Sequence, residues 1–175
     1  MASHTKTQSK SHSSSTHTSK RASSEKDVIE LLKEDHKKVQ KLFKDFEKRA
    51  EQGDEPGKVE IAEQICLELK VHTQIEEEIF YPALYEAFDE SDLVDEAVVE
   101  HASAKDLIEQ IESMVGSDEL YDAKVKVLGE YVNHHIEEEE KEIFPKAKKA
   151  GLDLAALGES VSFRKEELLA PMATH

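Results

Sequence analysis

A segment that occurs twice constrains this chain more than any other feature of its sequence. Residues 72–82 (HTQIEEEIFYP) align without gaps to residues 135–145 (HIEEEEKEIFP). In each copy, a glutamate follows the histidine by four residues and a proline follows it by ten. Residues four apart lie on the same face of a helix, so each copy presents a histidine and a glutamate side by side.

The stretches before these segments are also related. His36 precedes the first copy by 36 residues, and His101 precedes the second copy by 34. Leu42-Phe43 follows His36 at the same offset at which Leu107-Ile108 follows His101. The chain therefore reads as two copies of one helical hairpin, with histidine on the first helix and His-x-x-x-Glu on the second.

Hydrophobic periodicity predicts four amphipathic helices whose inner positions recur at steps of three and four residues. These inner positions are Leu32, His36, Val39, Phe43 and Phe46; Ile61, Ile65, Leu69, His72, Glu76 and Phe80; Val94, Ala97, His101, Ala104, Ile108, Ile111 and Val115; and Leu128, Tyr131, His135, Glu139 and Ile143.

Helix ends are predicted from capping and breaking residues. Ser24 and Ser91 are expected to cap the first and third helices. The residues 53–57 (GDEPG) and 116–118 (GSD) are expected turns, and the fourth helix should end near Gly151. Pro82 is expected to interrupt or restart the second helix, because proline cannot donate to the preceding turn.

Short loops between four such helices predict an all-α, antiparallel, up-down-up-down four-helix bundle. A composition with six Gly, four Pro and abundant charged residues agrees with this class. We expect a disordered tail over 1–24, the bundle over 25–150, and a C-terminal extension with a short helix over 151–175.

Charge and cysteine content exclude several function classes. The net charge of -16 argues against nucleic acid and against an anionic membrane surface. No apolar stretch is long enough to span a bilayer, and the N-terminus has no apolar signal core. The single cysteine, Cys66, is expected to be a buried small hydrophobe. Together these features predict a cytoplasmic protein.

Six inner polar residues indicate a metal site: His36, His72, Glu76, His101, His135 and Glu139. Two carboxylates in an apolar core cost several kcal/mol each unless positive charge compensates them, and no Lys or Arg occupies the predicted inner positions. Two divalent cations would compensate this charge. Imidazole and carboxylate suit iron, manganese or zinc.

The two hairpins suggest how the ligands would divide. Glu76 and Glu139 would bridge the ions, His36 and His72 would complete one ion, and His101 and His135 would complete the other. Water, oxo, hydroxo or a diatomic molecule would fill the open positions.

Several residues near the predicted ligands are expected to have ordinary structural or surface roles. His134 is expected to be peripheral, because it lies about 100° around the helix from His135. The acidic residues Glu77, Glu78, Glu137, Glu138 and Glu140 are expected to form a solvated face. Tyr131 is expected to be a core residue, with a hydrogen bond near the metals as the alternative.

Over residues 27–150 the motifs resemble hemerythrin-like proteins, which are also described as HHE cation-binding domains. The resemblance implies a non-haem di-iron site, oxo- or hydroxo-bridged, that binds dioxygen, nitric oxide or peroxide. It also implies a role in oxygen or redox stress or in iron homeostasis.

Two departures from the oxygen-carrying members bear on function. Those proteins have a further histidine where this chain has Lys105, and an aspartate five residues after the last histidine, where this chain has Glu139 at four. The loss of a ligand would open a position on the second iron, which argues against stable reversible oxygen carriage. Two alternatives stay open, a di-iron enzyme that consumes peroxide and a metal-free helical interaction module. The protein partner and the oligomeric state are not predicted.

Overall fold

The computed structural model describes residues 26–89 and 91–172, and this part of the chain contains helices and no β-strand. The tail predicted over 1–24 lies outside the described residues. The α-helices are α1 (Val28–Glu51), α2 (Glu55–Ile75), α3 (Tyr81–Ala87), α4 (Asp92–Glu112), α5 (Tyr121–Glu138), α6 (Phe144–Lys149) and α7 (Leu154–Leu169). Two π-helical turns, Glu76–Phe80 and Glu139–Ile143, join α2 to α3 and α5 to α6, and a 3-10 turn, Ala170–Met172, follows α7.

Four long helical rods form the bundle. They are α1, the continuous run 55–87, α4 and the continuous run 121–149. α1 packs against α2 and α5, and α4 packs against the same two helices, so each rod has two neighbours. The predicted antiparallel four-helix bundle is confirmed.

The first helix begins later than predicted. Asp27, not Ser24, caps it: the Asp27 carboxylate accepts from the amide of Glu30, and the Glu30 carboxylate accepts from the amide of Asp27. This reciprocal capping box satisfies two amides that no intrahelical carbonyl can reach. Ser91 does precede α4, but its hydroxyl donates to Asp95 rather than capping the helix.

Pro82 and Pro145 do not end the helical runs in which they lie. The amide of Tyr81 bonds to the carbonyl of Glu76, and that of Phe144 bonds to the carbonyl of Glu139, each five residues back. The wider turn accommodates the ring of the following proline, which would otherwise clash with the carbonyl four residues before it. Both π turns begin at the glutamate of a His-x-x-x-Glu pair, so the repeat extends to the backbone.

Two hydrophobic clusters fill the bundle and leave a polar layer between them. The Phe43 cluster consists of Val39, Phe43, Phe46, Ala62, Ile65, Cys66, Leu69, Ala104, Ile108, Ile111, Tyr121, Val125, Leu128, Val132 and Ile136. The Phe80 cluster consists of Val28, Ile29, Leu32, Ile75, Phe80, Tyr81, Leu84, Val94, Ala97, Ile143, Phe144, Ala147 and Val161. The histidines predicted as ligands separate the two along each rod.

The C-terminal helix predicted for the extension is present as α7. It packs mainly against α1 and α2, and Val161 joins the Phe80 cluster. The contact is close at Gly158, where an added Cβ would lie 2.4 Å from the carbonyl oxygen of Lys26. Gly151, with φ of 74°, ends the preceding helix as predicted.

One predicted core position is wrong at the end of α4. Val115 is 63% exposed, because the helix ends at Glu112 and the residue lies in the following loop. Among the described helices, none combines the length and apolar character needed to cross a membrane.

Candidate metal centre

The six residues predicted as ligands converge in the layer between the two clusters. Each is at least nine-tenths buried, and the two glutamates have no exposed surface. They are contributed by all four rods: His36 by α1, His72 and Glu76 by the second rod, His101 by α4, and His135 and Glu139 by the fourth.

Each carboxylate lies between histidines of both hairpins. Glu76 Oε2 is 3.2 Å from Nε2 of His72 and 3.2 Å from Nε2 of His101. Glu139 Oε2 is 3.2 Å from Nε2 of His36 and 3.7 Å from Nε2 of His135. Each glutamate therefore contacts one histidine of each predicted pair.

Several buried side-chain atoms of this layer have no hydrogen-bond partner. They are Nε2 of His36, both ring nitrogens of His72, both carboxylate oxygens of Glu76, and Oε2 of Glu139. Leaving a buried polar group unsatisfied costs about 1–3 kcal/mol, and more when it is charged. Such a concentration of unsatisfied atoms in one layer is best explained by a ligand that they share.

Burial and mutual charge shift the pKa values of several of these side chains. Burial, together with the charge of Glu139, raises the pKa of Glu76 well above its ordinary value. Burial also opposes ionisation of Glu139, but the neighbouring imidazoles outweigh it and lower the pKa of that carboxyl. Burial lowers the pKa of His72 to about 4, so its imidazole is neutral at pH 7, which is the form that binds metals.

Each of the four histidines faces an outer carboxylate through Nδ1. The pairs are His36 with Glu140 at 2.9 Å, His72 with Asp35 at 3.5 Å, His101 with Glu77 at 3.0 Å, and His135 with Glu100 at 2.8 Å. A carboxylate that accepts from Nδ1 fixes the tautomer in which the Nε2 lone pair faces inward.

These pairs follow the duplication. Asp35 and Glu100, each directly before the histidine of a first helix, face the second-helix histidine of the same hairpin. Glu77 and Glu140, each directly after a ligand glutamate, face the first-helix histidine of the other hairpin. Glu77 and Glu140 were predicted to be solvated, and this was wrong. Each contacts a buried imidazole, because the π turn that begins at the preceding glutamate also carries it.

Lys105 does not reach the centre. Its ammonium donates to both carboxylate oxygens of Glu77, each at 2.7 Å, and its side chain is 40% exposed. At the position where oxygen carriers have a further histidine, this chain therefore has a lysine that forms an ion pair with Glu77, the acid that orients His101.

Tyr81 is a residue of the centre that the sequence reasoning missed. Its hydroxyl donates to Glu139 Oε1 at 3.2 Å and lies 3.3 Å from Nε2 of His101, on which its ring stacks. The equivalent residue of the second copy, Phe144, stacks on His36 and has no hydroxyl. A Tyr-to-Phe difference in otherwise matching segments was the available signal.

A cavity adjoins the centre on the side of the Phe43 cluster. It measures about 30 Å³, and all four histidines line it together with Val39, Leu69, Ala104, Val132 and Ile136. Tyr131 lines its outer end and is 52% exposed, so its prediction as a core residue was wrong. A space of this size holds a water or a diatomic molecule.

His134 lies at the surface, as predicted. Its side chain is 63% exposed, and its Nε2 is 3.3 Å from Glu138 and 3.7 Å from Glu100.

The interior donor atoms fit metal ions in two groups. His36, His72, Glu76 and Glu139 each offer an atom within 4.8 Å of the others, as do Glu76, His101 and His135. The two groups share Glu76.

Comparison with protein families decides the classification. The model of the hemerythrin HHE cation binding domain matches residues 27–147. The chain belongs to this family. As a hemerythrin-like protein it is a metal-binding helical bundle, and the six converging side chains are where its fold concentrates metal-ligating atoms.

A structural neighbour and a sequence relative can be compared with this hemerythrin-like chain. It is similar to a hemerythrin HHE cation binding domain-containing protein from Mycobacterium kansasii, with a TM-score of 0.69 and 23% identity over 83% of this chain and 89% of that one. That likeness concerns the fold. It is also 30% identical over 118 residues, 67% of this chain, to a DNA nickase from Nostoc sp., of whose length it spans 32%.

Proposed function

We propose that this protein holds two iron ions on His36, His72, Glu76, His101, His135 and Glu139, and uses them to bind or sense dioxygen, nitric oxide or peroxide. The observation that carries the proposal is the set of buried nitrogen and oxygen atoms without partners in the layer between the clusters. Two divalent cations would satisfy them together and would more than neutralise the two carboxylates.

The ligands divide between two positions. His36 and His72 would hold one ion, and His101 and His135 the other. Glu76 and Glu139 each contact one histidine from each pair, which supports a bridging role for both. This set has no thiolate, which suits iron or manganese as well as zinc. Iron is proposed because the family resemblance implies a di-iron site.

Bound iron would supply a redox-active Lewis acid for small oxygen- or nitrogen-containing ligands. The residues of the chain prepare the space around it. The cavity beside the four histidines is lined by five aliphatic side chains and by three acids, Asp35, Glu68 and Glu100, so it favours small neutral molecules over anions. On the opposite side, Tyr81 offers a hydroxyl to one of the two positions only. The two ions would therefore differ in their surroundings.

The test is metal analysis followed by absorption spectroscopy. Protein loaded with Fe²⁺ without oxygen should contain two irons per chain, and exposure to oxygen or nitric oxide should give new bands in the near ultraviolet and visible range. A folded protein that takes up iron but whose spectrum responds to neither gas nor to peroxide would contradict the sensing role. Manganese or zinc retained in preference to iron would contradict the choice of metal.

A second candidate is peroxide consumption, favoured by Tyr81. Its hydroxyl could donate a proton at one metal position, and Lys105 leaves that position without a further imidazole. The balanced reaction converts two hydrogen peroxide molecules to two waters and one dioxygen. It predicts oxygen release well above that of the same concentration of free iron, and slower release from Y81F. A rate equal to that of free iron would remove this candidate.

The interaction module and nucleic-acid activity are less supported. A metal-free module gives no reason for a buried Glu76 whose carboxylate oxygens both lack a hydrogen-bond partner. DNA nicking is named for a relative about twice as long as this chain. The charge of -16 on this chain opposes phosphate binding. Incubation with supercoiled plasmid, with and without iron, should leave the plasmid intact. Nicking by wild type that is absent from H72L/E76M would support a DNA-nicking activity of this chain.

A further inference from the structure

The two hairpins treat their outer acids differently. In the first, Asp35 faces His72 with one carboxylate oxygen and pairs with Lys165 of α7 through the other. In the second, Glu100 faces His135 with one oxygen, while its other oxygen points toward His134 at 3.7 Å. The ammonium group of Lys165 thus compensates the charge of Asp35, whereas the second oxygen of Glu100 faces the imidazole of His134.

The surrounding residues differ in the same way. In the first hairpin the positions before the ligand histidine and the ligand glutamate are Val71 and Ile75, both buried. In the second hairpin they are His134 and Glu138, which lie four apart and approach to 3.3 Å. Because α7 packs mainly on the first hairpin, the equivalent face of the second stays accessible.

This face is a negatively charged pocket. A surface cavity of about 390 Å³ is lined by Asp95, Glu96, Val99, Glu100, His134 and Glu138. Among residues 26–89 and 91–172, no lysine or arginine nitrogen lies within 4.0 Å of Glu100 or Glu138. Like charges around one pocket repel each other, and a bound cation would relieve the repulsion.

The donor atoms have a geometry suited to one ion. Nε2 of His134 and one oxygen each from Glu100 and Glu138 lie within 4.8 Å of one another. One imidazole and two carboxylates are a ligand set for Zn²⁺, Fe²⁺ or Mn²⁺, and the imidazole disfavours Ca²⁺ and Mg²⁺.

We propose that Glu100, His134 and Glu138 form a second, surface site for a divalent transition-metal ion or zinc. The site shares Glu100 with the outer shell of the interior centre, because Glu100 also accepts from His135. An ion held there is one residue away from an interior ligand, and we assign the site a staging role in loading. The staging role rests on the proposed interior centre, whereas the surface site does not.

Calorimetric titration of the iron-loaded, full-length protein with Zn²⁺ tests the site. The variants are H134A and E138Q, and the matched control is E137Q, which removes an exposed carboxylate from the same helix, one that pairs with Lys141. Wild type and E137Q should bind one zinc that H134A and E138Q bind about tenfold more weakly or worse. The histidines of residues 1–24 are common to all four proteins and cancel in the comparison.

Two further readouts separate the claims. Helical circular dichroism and interior iron content should be the same in all four proteins, because His134 and Glu138 are not interior ligands. Equal zinc affinity in wild type, H134A and E138Q would overturn the surface site. Weakened zinc binding with an unchanged rate of Fe²⁺ loading would overturn the staging role alone, and slower loading would support it. Failure of wild type to take up interior iron would instead count against the proposed function.

Discussion

Glu140 lies with Oε1 2.9 Å from Nδ1 of His36, so an acid of the fourth rod orients an imidazole of the first. The side chain of Glu140 is one-third exposed, whereas His36 is 1% exposed. The acid therefore controls a buried ring from the edge of the bundle. Removing its charge tests whether the outer carboxylates serve the metal centre.

The variant E140Q should still bind two ions, but about 10–100-fold more weakly, because the amide is a poorer acceptor for Nδ1–H. Competition with a chelator of known affinity measures the change. The control is E137Q, whose carboxylate lies in the same acidic run and faces Lys141. Equal metal affinity in E140Q and E137Q would contradict an orienting role for Glu140.

The hydroxyl of Tyr81 should matter for the centre and for stability. Y81F leaves Glu139 Oε1 without its donor, and we expect the free energy of unfolding of the metal-free protein to fall by about 1–3 kcal/mol. Chemical denaturation checks this value. Y121F is the control, since Tyr121 is also buried but belongs to the Phe43 cluster, far from the polar layer. A loss no greater than that of Y121F would show that the contact with Glu139 is not stabilising.

Replacing two ligands by apolar residues should stabilise the metal-free chain. H72L/E76M removes a buried imidazole and a buried carboxyl whose polar atoms make no hydrogen bond, and substitutions of this kind raise stability by about 1–4 kcal/mol. The same variant should lose metal. Thermal unfolding with chelator and with added iron measures both effects. Added iron should raise Tm for wild type and not for the variant. A metal-free variant that is less stable than metal-free wild type would contradict this prediction.

Cys66 should be chemically inert in the folded protein. It is 2% exposed, and burial raises its pKa to about 11. At pH 8 only about one thiol in a thousand is then ionised, and the thiolate is the form that reacts. Iodoacetamide should modify Cys66 in denaturant and leave it intact in buffer over the same time, as mass spectrometry would show. Rapid modification of the native chain would place this thiol nearer to solvent than the Phe43 cluster allows.

The bundle and the convergence of the six residues followed from the sequence because both rest on periodicity. Inner positions at steps of three and four specify a helix face, and a duplicated hairpin places equivalent residues at one depth. Residues such as His101 and Glu139 were therefore assigned correctly to the interior.

What the sequence did not give depends on local backbone and on neighbouring rods. The outer role of Glu140 follows from the π turn at Glu139, and consecutive glutamates carry no sign of which one turns inward. Tyr81 was missed because a tyrosine before proline is equally compatible with packing. Val115 continues an apolar period past the end of α4, and in α5 the neighbouring Val132 takes the buried position that was predicted for Tyr131.

The most direct measurement is the iron content of the full-length protein after anaerobic loading with Fe²⁺ and removal of free metal, compared with H72L/E76M prepared in parallel. Elemental analysis against protein concentration should give two irons per chain for wild type and a clear loss for the variant. Wild type that retains no more iron than the variant would contradict the assignment of the buried histidines and glutamates as a metal centre.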